Sequence, residues 1–390
     1  MGLLRVLLAA AVVFVHAGPM RGFPTIGGNL AVQAFYIISG FYMALILNEK
    51  YIVSSKTGAG QLRAGQVYRL FLTNRLLRLL PIYYATLAII GVVALVMWLT
   101  LGDIRLEFVQ AVRTYGDQLS VGTKAFLATA NAAMVGQDWV SFMTLDPTTH
   151  ALIFTRDFST APVNLNNFLL VHQGWTIGLE ITFYLMAPFL VRRKSWLLIL
   201  IVVLATALRV YLRRHYGLTG LAWQYRFFPT EIAFFMLGAL GYKAYRVLRK
   251  KVIPLWVRQL CLYGTLSFTL FFGGIFQVAN RLGVPPIAMS TLFTLTIAAC
   301  IPVLFIHGKN NRLDQRIGDL SYPLYIVHYI VFETLRAYQV GGEYTNLLTL
   351  AISLVLALGL NHFVGEPVEA LRRRIYERRK ATVAVVGRNE

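Results

Sequence analysis

The chain has 390 residues, 57% of them hydrophobic and only 14% charged, with 37 Lys and Arg against 17 Asp and Glu and a net charge of +20. Soluble domains carry roughly a quarter charged residues, so this composition, with a mean hydropathy of +0.60, excludes a water-soluble globule and indicates a membrane protein. The basic excess is not a nucleic-acid surface either, because it falls in short clusters between apolar runs.

Apolar runs close to the length that crosses a hydrocarbon core recur at 3–18, 30–47, 82–101, 175–191, 196–212, 227–242, 255–278, 287–306, 318–337 and 346–364. They predict an all-α polytopic helix bundle of about ten transmembrane helices. Arg5 interrupts the first run, and neither a basic leader nor an A-x-A site flanks it, so it is expected to stay as a span. Placing both termini in the cytoplasm puts 24 basic residues on the inner side, against 11 in outer loops or at outer span ends. A single crossing at 126–142 would move every later basic loop outside. Segment 102–174 is therefore expected to be an outer-face loop with an amphipathic or re-entrant piece, and the polar Asn131, Gln137 and Asp138 argue against a pair of crossings. Residues 1–370 form one membrane domain in this reading, and 371–390 a basic cytoplasmic tail.

Ionisable groups inside spans are costly and mark bundle interiors or water-filled paths. Arg5 and His16 are eleven residues apart, about 16 Å of helix rise and within about 20° of one direction. A cation at the cytoplasmic mouth suits phosphate, and a neutral imidazole deep in a cavity suits proton abstraction. Arg5 as a topology anchor and His16 as a packing cap are the plainer alternatives. Arg75 and Arg78 stand at i, i+3 ahead of a span, with Pro81 expected to break the helix. They read either as a fork for phosphate oxygens or as anchors for anionic lipid headgroups. Glu180 has Tyr184 at i+4 and needs a cation or a desolvated site, with Arg5, His16 and His328 as candidate partners. Ser321, Tyr325 and His328 make a polar stripe at i, i+4, i+7. Glu366 joins this set, while Glu231, His307 and His362 read as satisfied structural residues. Cys261 and Cys300 lie in apolar runs, against a disulfide scaffold or Cys-rich zinc site. The seven histidines lack metal-ligand spacing, and neither a G-x-S-x-G elbow nor a Walker loop is present.

Taken in order, these residues resemble the acyltransferase-3 family of integral membrane O-acyltransferases, the bacterial exopolysaccharide acyltransferases above all. The likeness rests on Arg5 with His16, then on Gly28, Val32, Phe35, Tyr36, Ser39, Gly40 and Phe41 in a G-x-x-x-V-x-x-F-aromatic-x-x-S-G-F segment. It continues through Arg75, Arg78, Pro81 and Tyr83, through Trp175, Thr176, Ile177, Glu180, Phe183, Tyr184 and Pro188, and through Gly318, Ser321, Tyr322, Tyr325 and His328, with Glu366-Pro367 after the last span. Gln33 departs from the Asp of many members and Thr176 from the usual Ser, which removes any role for an acid at position 33. The resemblance implies transfer of an acyl group, most often acetyl, from cytoplasmic acyl-CoA to a hydroxyl of a carbohydrate at the outer face of the bacterial inner membrane. In that reading Arg5, Arg75 and Arg78 meet the CoA phosphates, and His16 is the general base with Glu180 orienting it. Ser39, Trp175, Tyr184, Tyr325 and His328 are candidate substrate-site residues, no metal is needed, and polysaccharide biosynthesis or export proteins are expected partners. No soluble domain follows as in some relatives, so transfer is expected to finish within this domain or on a separate protein. A transporter or flippase for a lipid-linked sugar is the alternative, and the inverted repeats that would favour it are not apparent.

Overall fold

The computed structural model describes residues 1–20, 22–51 and 64–386, with side chains to residue 377. It is an all-α multi-pass bundle. The helices are α1 (Gly2–Ala17), α2 (Gly28–Glu49), α3 (Ala64–Leu101), α4 (Glu107–Tyr115), α5 (Val121–Ala133), α6 (Trp175–Leu190), α7 (Ser195–His215) and α8 (Phe228–Leu248). After them come α9 (Leu255–Arg281), α10 (Pro286–Gly308), α11 (Arg312–Asp319), α12 (Ser321–Ala337), α13 (Thr345–Leu360) and α14 (Glu366–Val386). Six helical stretches among the described residues are long and apolar enough to cross a membrane on their own. Helix α1, with 16 residues, rises about 24 Å and is shorter than an ordinary span.

Pro81 does not break its helix: α3 runs unbroken for 38 residues with Pro81 inside it. Proline removes one backbone N–H and crowds the preceding turn, yet neighbouring helices can satisfy the local backbone. Near the proline the Tyr322 hydroxyl donates to the Leu79 carbonyl at 2.9 Å and the buried Tyr83 hydroxyl to the Asn131 carbonyl at 2.6 Å; these bonds tie this part of α3 to its neighbours, though neither reaches the Leu77 carbonyl that Pro81 frees.

Helices α2 and α8 cross at backbone contact, because a Cβ on Gly40 would overlap the Phe235 carbonyl and one on Gly238 the Ile37 carbonyl. Small residues allow such approach in apolar bundles. Beside the crossing, Phe235 stacks on Tyr36 at 4.6 Å and on Phe183 at 4.1 Å, locking α2, α6 and α8 into one core. Fully buried Glu231 on α8 accepts from Arg209 at 2.7 Å and from Gln33 at 3.2 and 3.4 Å. A second carboxylate at position 33 would face Glu231 directly, which explains why an amide suits this chain.

The basic segments gather at one end of the bundle. Arg192 donates to the Leu47 carbonyl, Arg249 pairs with Glu49, and Lys243 donates to the Arg193 carbonyl. Arg5, Lys50, Arg75, Arg78, Arg316 and Arg372 line one cavity there. Asp314 of α11 accepts from the Gly2 and Leu3 amides at 2.9 and 3.1 Å and caps α1. Burial works against the charge on Asp314, but these amide bonds hold its carboxyl below the usual range.

Residues 102–174 form a compact cap with its own core, in which Leu119, Leu127, Val140, Leu145, Leu165 and Phe168 pack together. It contains α4, α5 and a two-stranded antiparallel hairpin, β1 (Met143–Leu145) with β2 (Leu152–Phe154), in the register Thr144 to Ile153. Helix α5 has 13 residues, about 20 Å, too short to cross a core of about 30 Å. Asn131 and Gln137 are buried here as fasteners. Asn131 binds the Leu127 and Phe168 carbonyls and the Leu170 amide, and Gln137 donates to the Tyr83 hydroxyl and Ala130 carbonyl. Burial pushes the Asp138 carboxyl up to about 6. No membrane span is needed to explain these polar groups.

Candidate functional site

Two connected cavities run inward from the basic end. The wide outer one, about 760 Å³, is lined by seven cationic side chains (Arg5, Lys50, Arg75, Arg78, Arg316, Arg372 and Arg373) and three acidic ones (Asp319, Glu366 and Glu369). It narrows to a chamber of about 110 Å³ that shares Arg5, Arg75, Arg78, Tyr42 and Tyr322 and continues past Ser39, Glu180 and Tyr184 to Phe35, Thr176 and Tyr325. The helical spacing of Arg75 and Arg78 puts both on the inner face of α3, and Arg5 reaches them from α1. Arg75 is 6% exposed, and its Nε is buried without a hydrogen-bond partner. No side chain of these three arginines makes an ion pair with a described residue. Buried charges are normally paired, so three guanidinium groups converging without a carboxylate within ion-pairing distance are suited to an anionic ligand.

Inside the chamber, Glu180 accepts from the Ser39 hydroxyl at 2.7 Å and from the Tyr184 hydroxyl at 2.6 Å. Of the partners that sequence left open for Glu180, the structure brings Arg5 into the same chamber but bonds Glu180 to neither His16 nor His328. The Ser39 bond fixes α2 against α6 along the chamber wall, and the Tyr184 bond holds the carboxylate from one turn further along α6. Thr176 donates to the Tyr325 hydroxyl at 3.0 Å, and Gln173 donates to the Tyr325 and Ile326 carbonyls at 3.1 and 2.7 Å. The first bond ties α6 to α12 and the Gln173 bonds pin the cap to α12 at the chamber's deep end.

His16 and His328 line neither cavity; they meet beside Tyr325, whose ring centre is 5.9 Å from that of His328. His16 Nδ1 lies 3.1 Å from His328 Nε2 and 3.1 Å from the Val12 carbonyl, while His328 Nδ1 lies 2.7 Å from the Tyr325 carbonyl. A carbonyl only accepts, so a neutral His328 carries its proton on Nδ1 and presents Nε2 as an acceptor. His16 then donates from Nδ1, shared between Val12 and His328. Its Nε2 is left as an unprotonated lone pair, the form a general base needs. His328 is fully buried, whereas His16 is only partly so.

The histidine pair abuts the cap. Tyr329 lies edge-on to His16 at 5.5 Å, stacks on His172 at 4.6 Å and donates to Glu107 at 2.7 Å. His172 Nε2 is 3.3 Å from Glu107 but without hydrogen-bond geometry. Burial pushes His172 down to about 4, so at neutral pH the contact is not an ion pair. Arg226, in the connection between α7 and α8, lies 4.5 Å over both the Trp175 and Phe158 rings and donates to Ser141 and Asn166 at 2.8 Å. Trp175 is thus buried in the seam between cap and bundle. Sequence reasoning missed Arg226 and the cavity residues Lys50, Arg316 and Arg372; a basic residue among Trp223, Tyr225 and Phe227 was the available signal for the first. Among the described residues no cluster of three His, Cys, Asp or Glu side chains could hold a metal, and both cysteines are free.

Comparison with known proteins matches the chain to the family described as an acyltransferase domain, over residues 1–361. The chain is similar to nodulation protein 10 of Rhizobium leguminosarum bv. viciae, 23% identical over 97% of this chain and 95% of that protein. It is also similar to the O-acetyltransferase OatA of Staphylococcus aureus, 24% identical over 88% of this chain and 53% of OatA, so it spans about half of that relative's length. No solved structure matches.

Proposed function

The chain belongs to the acyltransferase-3 family, and from that premise we propose that it moves an acyl group, acetyl foremost, from acyl-CoA to a hydroxyl of an extracytoplasmic carbohydrate. The observation that carries the donor assignment is the trio Arg5, Arg75 and Arg78, which converge on one cavity without a carboxylate partner among the described residues. CoA is an anion with a long uncharged arm ending in a thioester. Its phosphates would lie among the arginines and its arm would pass Ser39, Glu180 and Tyr184. The roughly 16 Å from Arg5 to His16 along α1 is comparable to the length of that arm. The name of OatA supports acetyl as the group and oxygen as its destination.

In this reading both termini are cytoplasmic, about ten helices cross the bacterial inner membrane by the span-length rule, and the basic end faces the cytoplasm as the positive-inside rule requires. The cap then lies at the outer face, where an exopolysaccharide or lipid-linked precursor arrives with its biosynthesis or export proteins. Basic residues beside the mouth also meet anionic lipid headgroups.

His16 Nε2 takes the proton of the acceptor hydroxyl as its oxygen attacks the thioester carbonyl. The C–S bond breaks, the ester forms, and the proton passes from His16 to the departing CoA sulfur. His328 holds His16 in the productive tautomer. Glu180 keeps Ser39 and Tyr184 along the donor's path. The test is acetyl-CoA binding by the purified protein in nanodiscs, together with the O-acetyl content of surface glycan in cells. His16→Ala is expected to bind acetyl-CoA normally and lose O-acetylation. Full acetylation by His16→Ala, or no acetyl-CoA binding by the parent protein, refutes the proposal.

A further inference from the structure

Helix α14 begins at Glu366, beyond residue 361 where the family match ends. Its first turns nevertheless form one wall of the basic cavity. Glu369, Arg372, Arg373 and Tyr376 follow i, i+3, i+4, i+7 and share one helix face. Tyr376 anchors that face to the end of α2: its hydroxyl donates to the Lys50 carbonyl at 3.2 Å, and the Lys50 ammonium sits 4.2 Å over its ring. Arg372 pairs with Glu369 one turn back, and its side chain is only 12% exposed. Its Nε is buried with no hydrogen-bond partner. A cation held in a cavity wall with an orphaned donor is poised for a further acceptor.

The two cavities sort the arginines. Arg5, Arg75 and Arg78 line both the wide cavity and the narrow chamber, whereas Lys50, Arg316, Arg372 and Arg373 line only the wide cavity, and of these four Arg372 holds the buried, unpartnered Nε. An acyl-CoA threaded inward carries two separate anionic groups, the diphosphate next to the arm and the ribose 3′-phosphate at the outer end. Resting on the acyl-CoA reading above, we infer that α14 is the nucleotide-facing wall of the donor site and that Arg372 binds the ribose 3′-phosphate. The tail helix is then part of the binding machinery, a role its charge alone did not suggest.

The experiment compares acetyl-CoA with acetyl-3′-dephospho-CoA on the full-length protein in nanodiscs, by calorimetry, with neutral or anionic lipid. The parent protein is expected to prefer acetyl-CoA by roughly tenfold or more, the scale of a charged hydrogen bond. Arg372→Gln is expected to bind acetyl-CoA no better than the dephospho donor and to leave dephospho binding unchanged, with Arg372→Lys keeping part of the preference. Arg374→Gln, on the exposed side of the same helix, is expected to match the parent. Undiminished preference in Arg372→Gln, or equal weakening of both donors, overturns the inference. An Arg372→Gln effect confined to retention of anionic lipid, with donor preference intact, assigns the arginine to a lipid phosphate and overturns it too. A parent protein that binds neither donor overturns the acyl-CoA reading itself.

Discussion

Replacing His328 separates a base that is merely present from a base that is held in the working tautomer. The His16 Nδ1 proton is shared between the Val12 carbonyl and His328 Nε2, each at 3.1 Å. His328→Leu removes one acceptor and leaves the other, so His16 keeps its place with weaker control of its tautomer and less support for the imidazolium formed during proton abstraction. A hydrogen bond to a charged group contributes roughly 1.5–3 kcal/mol, which converts to a loss of about 10- to 100-fold in kcat. Deleting the base itself in His16→Ala is expected to cost about 10²–10⁴-fold. His328→Gln is the rescue variant: its amide can donate to the Tyr325 carbonyl and present an oxygen to His16, so it should retain most of the activity that His328→Leu loses. The assay is release of CoA thiol by the purified protein in nanodiscs, using glycan from a deletion strain as acceptor, with mass spectrometry of the product. Acetyl-CoA binding, read in parallel, should be unchanged in all three variants. Equal activity in His328→Leu and the parent, or a Gln variant no better than the Leu variant, would refute the tautomer argument.

Arg75→Gln removes a buried charge that has no acidic partner among the described residues, so the variant should melt at a higher temperature without ligand yet bind acetyl-CoA at least tenfold more weakly; a lower melting temperature with unchanged affinity would assign the arginine to structure. Gln33→Glu sets a second carboxylate against buried Glu231 and is expected to destabilise the protein by about 2–4 kcal/mol, read as a fall in chemical-denaturation midpoint that Gln33→Leu does not reproduce in full. His172 is held at about 4 by burial, below the ordinary value of about 6.5. Its folded pKa is depressed, so its contribution is fully present above about 6.5 and is lost as pH falls from there towards 4, up to about 3 kcal/mol. Asp138, raised to about 6, acts in the opposite sense, its contribution being lost as pH rises from about 4 through 6. The pH dependence of the difference between parent and His172→Phe isolates the histidine, and a flat difference between pH 7.5 and 4.5 would exclude this account.

Local patterns along the chain are enough to set its solvent, its helices and their polar faces. Apolar run length fixes that the chain lies in a bilayer, helical spacing puts Arg5 with His16 and Arg75 with Arg78, and the i, i+4 rule pairs Glu180 with Tyr184, which bond at 2.6 Å. All of these depend on neighbours within about three turns of one helix. Which helix faces which emerges only when the chain is packed. Packing gave His16 a partner 312 residues away and Ser39 one 141 residues away. It carried α3 through Pro81, where a local reading ends the helix, and tied the flanking turns to Tyr322 and the cap. It turned Asn131 and Gln137 into fasteners of the cap, and it brought Arg372 from the basic tail into the cavity wall. Helix rotation and crossing are set by contacts between distant segments, such as the Gly40 backbone lying directly on the Phe235 backbone. That packing depends on shapes from distant parts of the chain, and no local pattern of charge or hydropathy encodes it.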